Sequence, residues 1–225
     1  MMKKIFLIAI CCMMSSLAVA APYRGMYGNN YKKNGNWYFG AHADLTLLNW
    51  KNDYKTSGYD NETEKFSFKP VFGADFAIGY NVNRNYRFDF ELGYVGEYTD
   101  SEKVFAPGYL TEKTDFSLYA TYLLINQYYN VWNGLYIGVG AGGALVGASV
   151  DYTYANKVSK NEISPMGALM FGWANKLDDN VSLDIRYRFS AFEGPELTGI
   201  SATNTSVDVD WSLNHTISLG IIYNF

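Results

Sequence analysis

Two histidines, His42 and His215, and a few acids and bases spaced two apart are the groups in this chain that could do chemistry. Neither histidine has a second His or a Cys beside it, as a metal site would need, so each reads as a polar lining or interface residue. Gly138, Gly140 and Gly143 in "GVGAGG" match the spacing of a dinucleotide-binding loop. That loop works only between a strand and a helix, and no amphipathic helix follows here. The acids and bases say more. Asp44, Asp75, Arg87, Asp89, Glu91, Asp184, Arg186 and Arg188 sit at alternate positions of extended stretches, with large apolar residues between them.

Successive side chains of a strand point to opposite faces, so such alternation gives each strand two environments. In "RFDFELGYVGEY" (87–98), Arg87, Asp89, Glu91 and Glu97 oppose Phe88, Phe90, Leu92, Tyr94 and Tyr98. A solvated soluble sheet gives this pattern, and so does a transmembrane barrel with apolar residues toward lipid. Seven further stretches repeat it. Trp37 to Leu47 oppose Tyr38, Gly40, His42, Asp44 and Thr46, and Phe72, Ala74, Phe76, Ile78 and Tyr80 oppose Gly73, Asp75 and Gly79. Leu135, Ile137, Val139 and Ala141 face away from Tyr136 and three glycines, and Leu169, Phe171 and Trp173 are assigned outward. Val181, Leu183, Ile185, Tyr187 and Phe189 oppose Asp184, Arg186 and Arg188. In the last stretch Leu213, His215, Ile217, Leu219, Ile221, Tyr223 and Phe225 share a face. "FSLYATYLLINQYY" is apolar on both faces, and Phe116, Leu118, Ala120, Tyr122 and Leu124 are assigned outward. A transmembrane helix pair over the uncharged run 116–150 is disfavoured by the turn residues of "NQYYNVWNG" and by its glycines.

The whole chain fits this reading. Its 225 residues suit one domain; 17% are aromatic, including 20 Tyr, and only 18% are charged. Tyrosine and tryptophan suit membrane–water interfaces. A net charge of −4 lacks the basic footprint of a nucleic-acid binder, so no nucleic acid is expected as partner. Lys3 and Lys4, the apolar run 5–14 and Ala18-Val19-Ala20 read as a secretory signal, cut between Ala20 and Ala21. Loss of 1–20 removes both cysteines and both lysines, leaving 16 basic and 22 acidic residues, no disulfide and no Cys-ligated metal. Residues 21–36 form a short periplasmic segment and 37–225 the barrel domain. No cofactor is expected.

Connections alternate in length. "NVNRN", "NVWNG" and "KLDDN" are tight turns, while 49–69, 99–113, 148–162 and 193–206 are long. Short periplasmic turns and long extracellular loops are the organisation of outer-membrane barrels. The fold expected is all-β: an eight-stranded antiparallel transmembrane β-barrel with four long extracellular loops.

"GLYIGVGAGGA" (134–144), "LDIRYRF" (183–189) and "SLGIIYNF" (218–225) resemble the OmpA-like and opacity-protein family of small outer-membrane β-barrels. The resemblance covers about residues 37–225. It implies outer-membrane lipid as surroundings, and Phe225, Tyr223 and Ile221 as the terminal signal read by the barrel assembly machinery. No peptidoglycan-binding domain follows Phe225, so a cell-wall-tethering role is not expected. The lipid A deacylases among small barrel enzymes use a His and a Ser two apart on one face. Here "HTIS" sets Ser218 three from His215, on the opposite face, and Asp208 and Asp210 have no matching His. No enzyme is expected. The leading expectation is a structural or adhesin-like surface protein meeting a host or surface protein through its loops, which carry Tyr54, Tyr59, Phe66, Phe68, Phe105 and Tyr109. The alternatives are a narrow channel for small solutes or ions and, last, a lipid-modifying enzyme. An eight-stranded interior is only wide enough for side chains to fill, so the charges assigned inward are expected to pair and close it.

Overall fold

The computed structural model describes residues 37–48, 51–55, 62–65, 69–104, 112–152, 157–197, 206–209 and 211–225. The expected signal segment with Ala20 and Ala21, the segment 21–36, and Tyr59, Phe66, Phe68, Phe105 and Tyr109 lie outside them. Of Tyr54 only the backbone is described.

Among the described residues twelve strands follow in order: β1 (Trp37–Leu48), β2 (Lys51–Lys55), β3 (Glu62–Lys65), β4 (Lys69–Asn81), β5 (Tyr86–Val104), β6 (Glu112–Trp132), β7 (Leu135–Tyr152), β8 (Val158–Lys176), β9 (Val181–Glu193), β10 (Glu196–Leu197), β11 (Ser206–Val209) and β12 (Trp211–Asn224). Eight of them close an antiparallel barrel in the order β1-β12-β9-β8-β7-β6-β5-β4. Following cross-strand partners once around from Trp37, through Tyr80, Phe88, Gln127, Val139, Leu169, Phe189 and His215, returns to β1 at Leu47, ten residues further along. With standard strand spacings, that stagger over eight strands tilts them by about 40° and sets the wall about 16 Å across.

The tight turns carry their own logic. Asn133 and Gly134 both have positive φ, 44° and 84°, as the two-residue turn of a twisted hairpin requires. Asn83 Oδ1 accepts from the backbone N–H of Asn85 and of Tyr86, both at 2.9 Å. At this end Trp37 meets Tyr80 edge-on at 5.2 Å, and Phe225 lies against Phe39 at 5.3 Å and Tyr223 at 6.3 Å. Such rings form the interfacial girdle of a membrane barrel. From Leu135 to Leu145 the outward side chains of β7 are all apolar or glycine; ten residues at this tilt span about 25 Å, the height of a lipid-facing belt.

The opposite end differs from the loops expected. Most of 99–113 and 148–162 is strand: β5 runs to Val104, β6 starts at Glu112, β7 ends at Tyr152 and β8 starts at Val158. The inward row Phe116, Leu118, Val146, Ala148 and Val150 is buried, which supplies the apolar contact that keeps these hairpins extended past the belt. The remaining short strands pair in the order β10-β11-β2-β3, repeating the order of β9-β12-β1-β4 below. Between the two groups the described pairing stops at Met166↔Phe192 and at Ala74↔Tyr94. These two breaks lie on opposite sides of the ring.

Two facing assignments are corrected. Phe116, Leu118, Ala120, Tyr122 and Leu124, expected outward, point into the lumen and are at most 6% exposed. Their partners decide it: Leu124 stands beside Glu91 and Tyr122 beside Gly93, and cross-strand neighbours share a face. The upper lumen is apolar, so hydrophobicity could not tell inside from lipid. In β5 the register shifts between Val95 and Tyr98. This bulge turns Tyr98 inward, 1% exposed, and Glu97 outward, the reverse of unbroken alternation.

Candidate functional site in the barrel lumen

The lumen at the height of β1 residues 38–46 is filled by a polar cluster whose members come from six of the eight barrel strands, β1, β4, β5, β6, β7 and β9. Its centre is Glu91 on β5 and the pair Arg186 and Arg188 on β9. In the ring order β5 and β9 are four strands apart in either direction, so contacts between them cross the full diameter. Arg186 donates from Nη1 to Glu91 Oε2 at 2.7 Å and to Tyr128 Oη at 3.2 Å, and from Nη2 to Asp75 Oδ2. Arg188 donates from Nη1 to Glu91 Oε1 and Tyr122 Oη, and from Nη2 to Asp44 Oδ2 at 3.0 Å and Asp75 Oδ2 at 3.2 Å. Glu91 and Asp75 are wholly buried, and each arginine is 2% exposed. Burying isolated ions would cost several kcal/mol each; forked guanidiniums shared among three carboxylates offset that cost.

Asp89 and Asp184 join by neutral donors and a histidine. The Tyr38 hydroxyl donates to Asp89 Oδ2 at 2.8 Å, and Asn126 Nδ2 donates to Asp89 Oδ1 at 2.9 Å and Glu91 Oε2 at 3.0 Å. The Tyr136 hydroxyl donates to Asp184 at 2.8 Å. His42 bridges two acids, Nδ1 to Asp75 Oδ1 at 2.6 Å and Nε2 to Asp184 Oδ2 at 3.0 Å. Ionised carboxylates only accept, so this bridge is satisfied by a ring that donates from both nitrogens. Arg87 is held differently: its guanidinium lies 4.6, 4.7 and 5.5 Å from the ring centroids of Tyr128, Tyr136 and Tyr38, within cation–π range.

Of the eight lumenal residues singled out in the sequence, Asp44, Asp75, Glu91, Arg186 and Arg188 thus share ion pairs directly. Asp89 and Asp184 are tied in through Asn126 and His42, and Arg87 through tyrosine rings. Sequence reasoning placed His42 on this face but missed its bridging role, and it missed Asn126 and the tyrosines. The tyrosines had a signal, legible only with the register. Tyr38, Tyr122, Tyr128 and Tyr136 lie directly opposite Gly79, Gly93, Gly138 and Gly172, and a Cβ at any of these glycines would run into the tyrosine ring. Each phenol lies flat over a neighbouring strand to reach the cluster. His215 faces outward, its Nδ1 2.7 Å from the Tyr187 hydroxyl.

Above the cluster, buried Leu118, Val146, Ala148, Met166 and Phe192 fill the lumen from the β5–β9 side. Among the described residues no group of three or more His, Cys, Asp or Glu could hold a metal ion. Chemically the arrangement crosslinks opposite walls, and most of its polar groups are directed at one another.

Residues 7–225 match the family described as "Outer membrane protein beta-barrel domain". No curated protein matches the chain. Among solved structures, the chain resembles outer membrane protein AlkL in lipid bilayers, with 16% identity over 92% of this chain and 97% of that one and a TM-score of 0.50. It also resembles Neisserial surface protein A, with 19% identity over 86% and 100% and a TM-score of 0.47, and the attachment invasion locus protein Ail of Yersinia pestis, with 12% identity over 85% and 99% and a TM-score of 0.44. Identities this low bear on the fold alone. With its closed eight-stranded antiparallel barrel, girdle and lipid-facing belt, the chain belongs to the outer membrane protein beta-barrel domain family and resides in the Gram-negative outer membrane.

Proposed function

We propose that this barrel is a structural or adhesin-like surface protein, in which the lumen is a strut and the extracellular strand ends and connections meet the environment. The observation that carries the reading is the bridge from β9 to β5: Arg186 and Arg188 both reach Glu91 across the full diameter, leaving no straight water path at that height. In the same reading the mature chain begins at Ala21, after cleavage behind Ala20. Ile221, Tyr223 and Phe225, an exposed outward row, serve as the terminal signal for the barrel assembly machinery. No catalytic role is assigned. A test of surface interaction expresses the full chain in a non-adherent bacterium, with the upper segments 99–113 or 148–162 replaced one at a time by short turns. Adherence to extracellular-matrix proteins and cell monolayers should fall for at least one replacement while heat-modifiable gel mobility persists. Unchanged adherence in every replacement would count against a role carried by these segments.

The channel reading keeps one observation in its favour. Thr46, Ser190, Asn214 and Thr216 form a buried polar wall on β1, β9 and β12, leading down to Asp44 Oδ1 and Ser218 Oγ, to which no other described residue makes a well-formed hydrogen bond. Buried oxygens of this kind are places where water is bound. Conductance separates the two readings, because Arg188 closes this wall at Asp44.

A further inference from the structure

The outward face of β6–β8 just above the lipid belt carries a pattern that neither the belt nor the lumen uses. The last aliphatic row, read across the strands, is Thr121–Leu145–Ile163, with Ile163 79% exposed. The next is Tyr119–Gly147–Asn161. The one above adds β5 and reads Thr99–Ser117–Ser149–Ser159, four hydroxyl side chains side by side. Ser117 Oγ and Ser149 Oγ are 2.8 Å apart, and Thr99 and Ser159 are exposed.

Tyr119 lies flat. A Cβ on Gly147 would run into its ring, and its hydroxyl crosses β7 to donate to Asn161 Oδ1 on β8 at 3.2 Å. One ring face covers Gly147 and the other is turned outward, with the ring half-buried. The wall therefore passes from aliphatic to flat aromatic to hydroxyl over two rows, about 10 Å of height at this tilt. A flat ring packs against the C–H face of a pyranose, and amide and hydroxyl groups both donate to and accept from sugar hydroxyls. Phosphate would instead call for a cluster of guanidinium or ammonium groups; the acids Glu97 and Asp151 are exposed on this face beside the ammonium of Lys157.

We propose that Tyr119, Asn161 and the hydroxyl row form a saccharide platform for the glucosamine and inner-core sugars of lipopolysaccharide. Continuity with the membrane identifies the occupant. The acyl chains of an outer-leaflet lipid end at Leu145 and Ile163, and its first sugars stand at the height of Tyr119.

The test uses the full mature barrel refolded in vesicles of phosphatidylethanolamine, with or without rough lipopolysaccharide, and reads the melting temperature from heat-modifiable mobility. Rough lipopolysaccharide, intact or dephosphorylated, should raise the melting temperature by about 3 °C or more, as ligands of the folded state do. Tyr119→Ala and, separately, Asn161→Ala should lose over half of that shift, while Tyr119→Phe keeps most of it. Asn161→Ala, at an exposed strand end, guards against a folding defect in Tyr119→Ala. An equal shift in both alanine variants would overturn the proposal, as would a shift that vanishes with the phosphates. Binding of soluble glycans on an array, without any response to lipopolysaccharide, would overturn the assigned occupant.

Discussion

Replacing Arg186 by alanine takes one of two guanidiniums away from three carboxylates at the centre of the barrel. Neither of its carboxylate partners is left bare. Glu91 keeps Arg188, Tyr122 and Asn126, and Asp75 keeps His42 and Arg188. What remains is a surplus negative charge at Asp44, Asp75 and Glu91, sites 0–4% exposed. Removing one partner of a buried pair costs about 3–5 kcal/mol, and the surviving donors put this case near the lower end, about 3 kcal/mol. Glu91→Gln in the same chain removes one surplus charge while keeping a polar side chain for Tyr122 and Asn126, and should recover about half of the loss. Urea unfolding of the refolded barrel in lipid vesicles, followed by tryptophan fluorescence and gel mobility, gives the four corners of the cycle. The reasoning is refuted if Arg186→Ala stays within about 0.5 kcal/mol of the parent, or if the two substitutions simply add.

The tyrosine–glycine pairs make a sharper steric claim. Gly172→Val should displace the Tyr136 ring from Asp184 and cost about 2–3 kcal/mol, whereas Gly143→Val, where a Cβ would make only ordinary contacts with Ser164 O at 3.6 Å and Ile163 Cγ2 at 4.0 Å, should change stability by under about 1 kcal/mol; the same urea titration reads both. Deleting Phe225 should leave export intact and lower the outer-membrane level, with the chain degraded or held in the periplasm; cell fractionation showing normal outer-membrane levels would remove the terminal assembly role.

The strands that were legible are those whose two faces differ, by charge, by small polar residues or by glycine, from the apolar row opposite. β1, β4, β9 and β12 have Asp44, Asp75, Arg186 or a run of small polar residues against aliphatic rows, and their two-residue period fixes inside and outside at once. β6 lacked that contrast, because it lines the part of the lumen that is itself apolar, and Asn126 and Gln127 put an amide on each face. Only the pairing of Leu124 with Glu91 breaks the tie, and pairing is not written in one strand. The bulge after Val95 is invisible for the same reason: nothing in "YVGEY" says that two residues will share one partner. Which charges meet was also beyond the sequence. That Arg186 and Arg188 lie opposite Glu91 follows from strand order around the ring, and His42 reaches both Asp75 and Asp184 because Gly220, its neighbour on β12, leaves room for the imidazole.

The central claim is that side chains from opposite walls close this lumen. Purified full-length mature protein in a planar lipid bilayer, under salt gradients and moderate voltage, tests it most directly. The parent chain should show no steady conductance, and leak currents should appear once Arg186 and Arg188 are both replaced by alanine. Large, stable single-channel currents from the unmodified protein would contradict a closed lumen and establish the channel reading in its place.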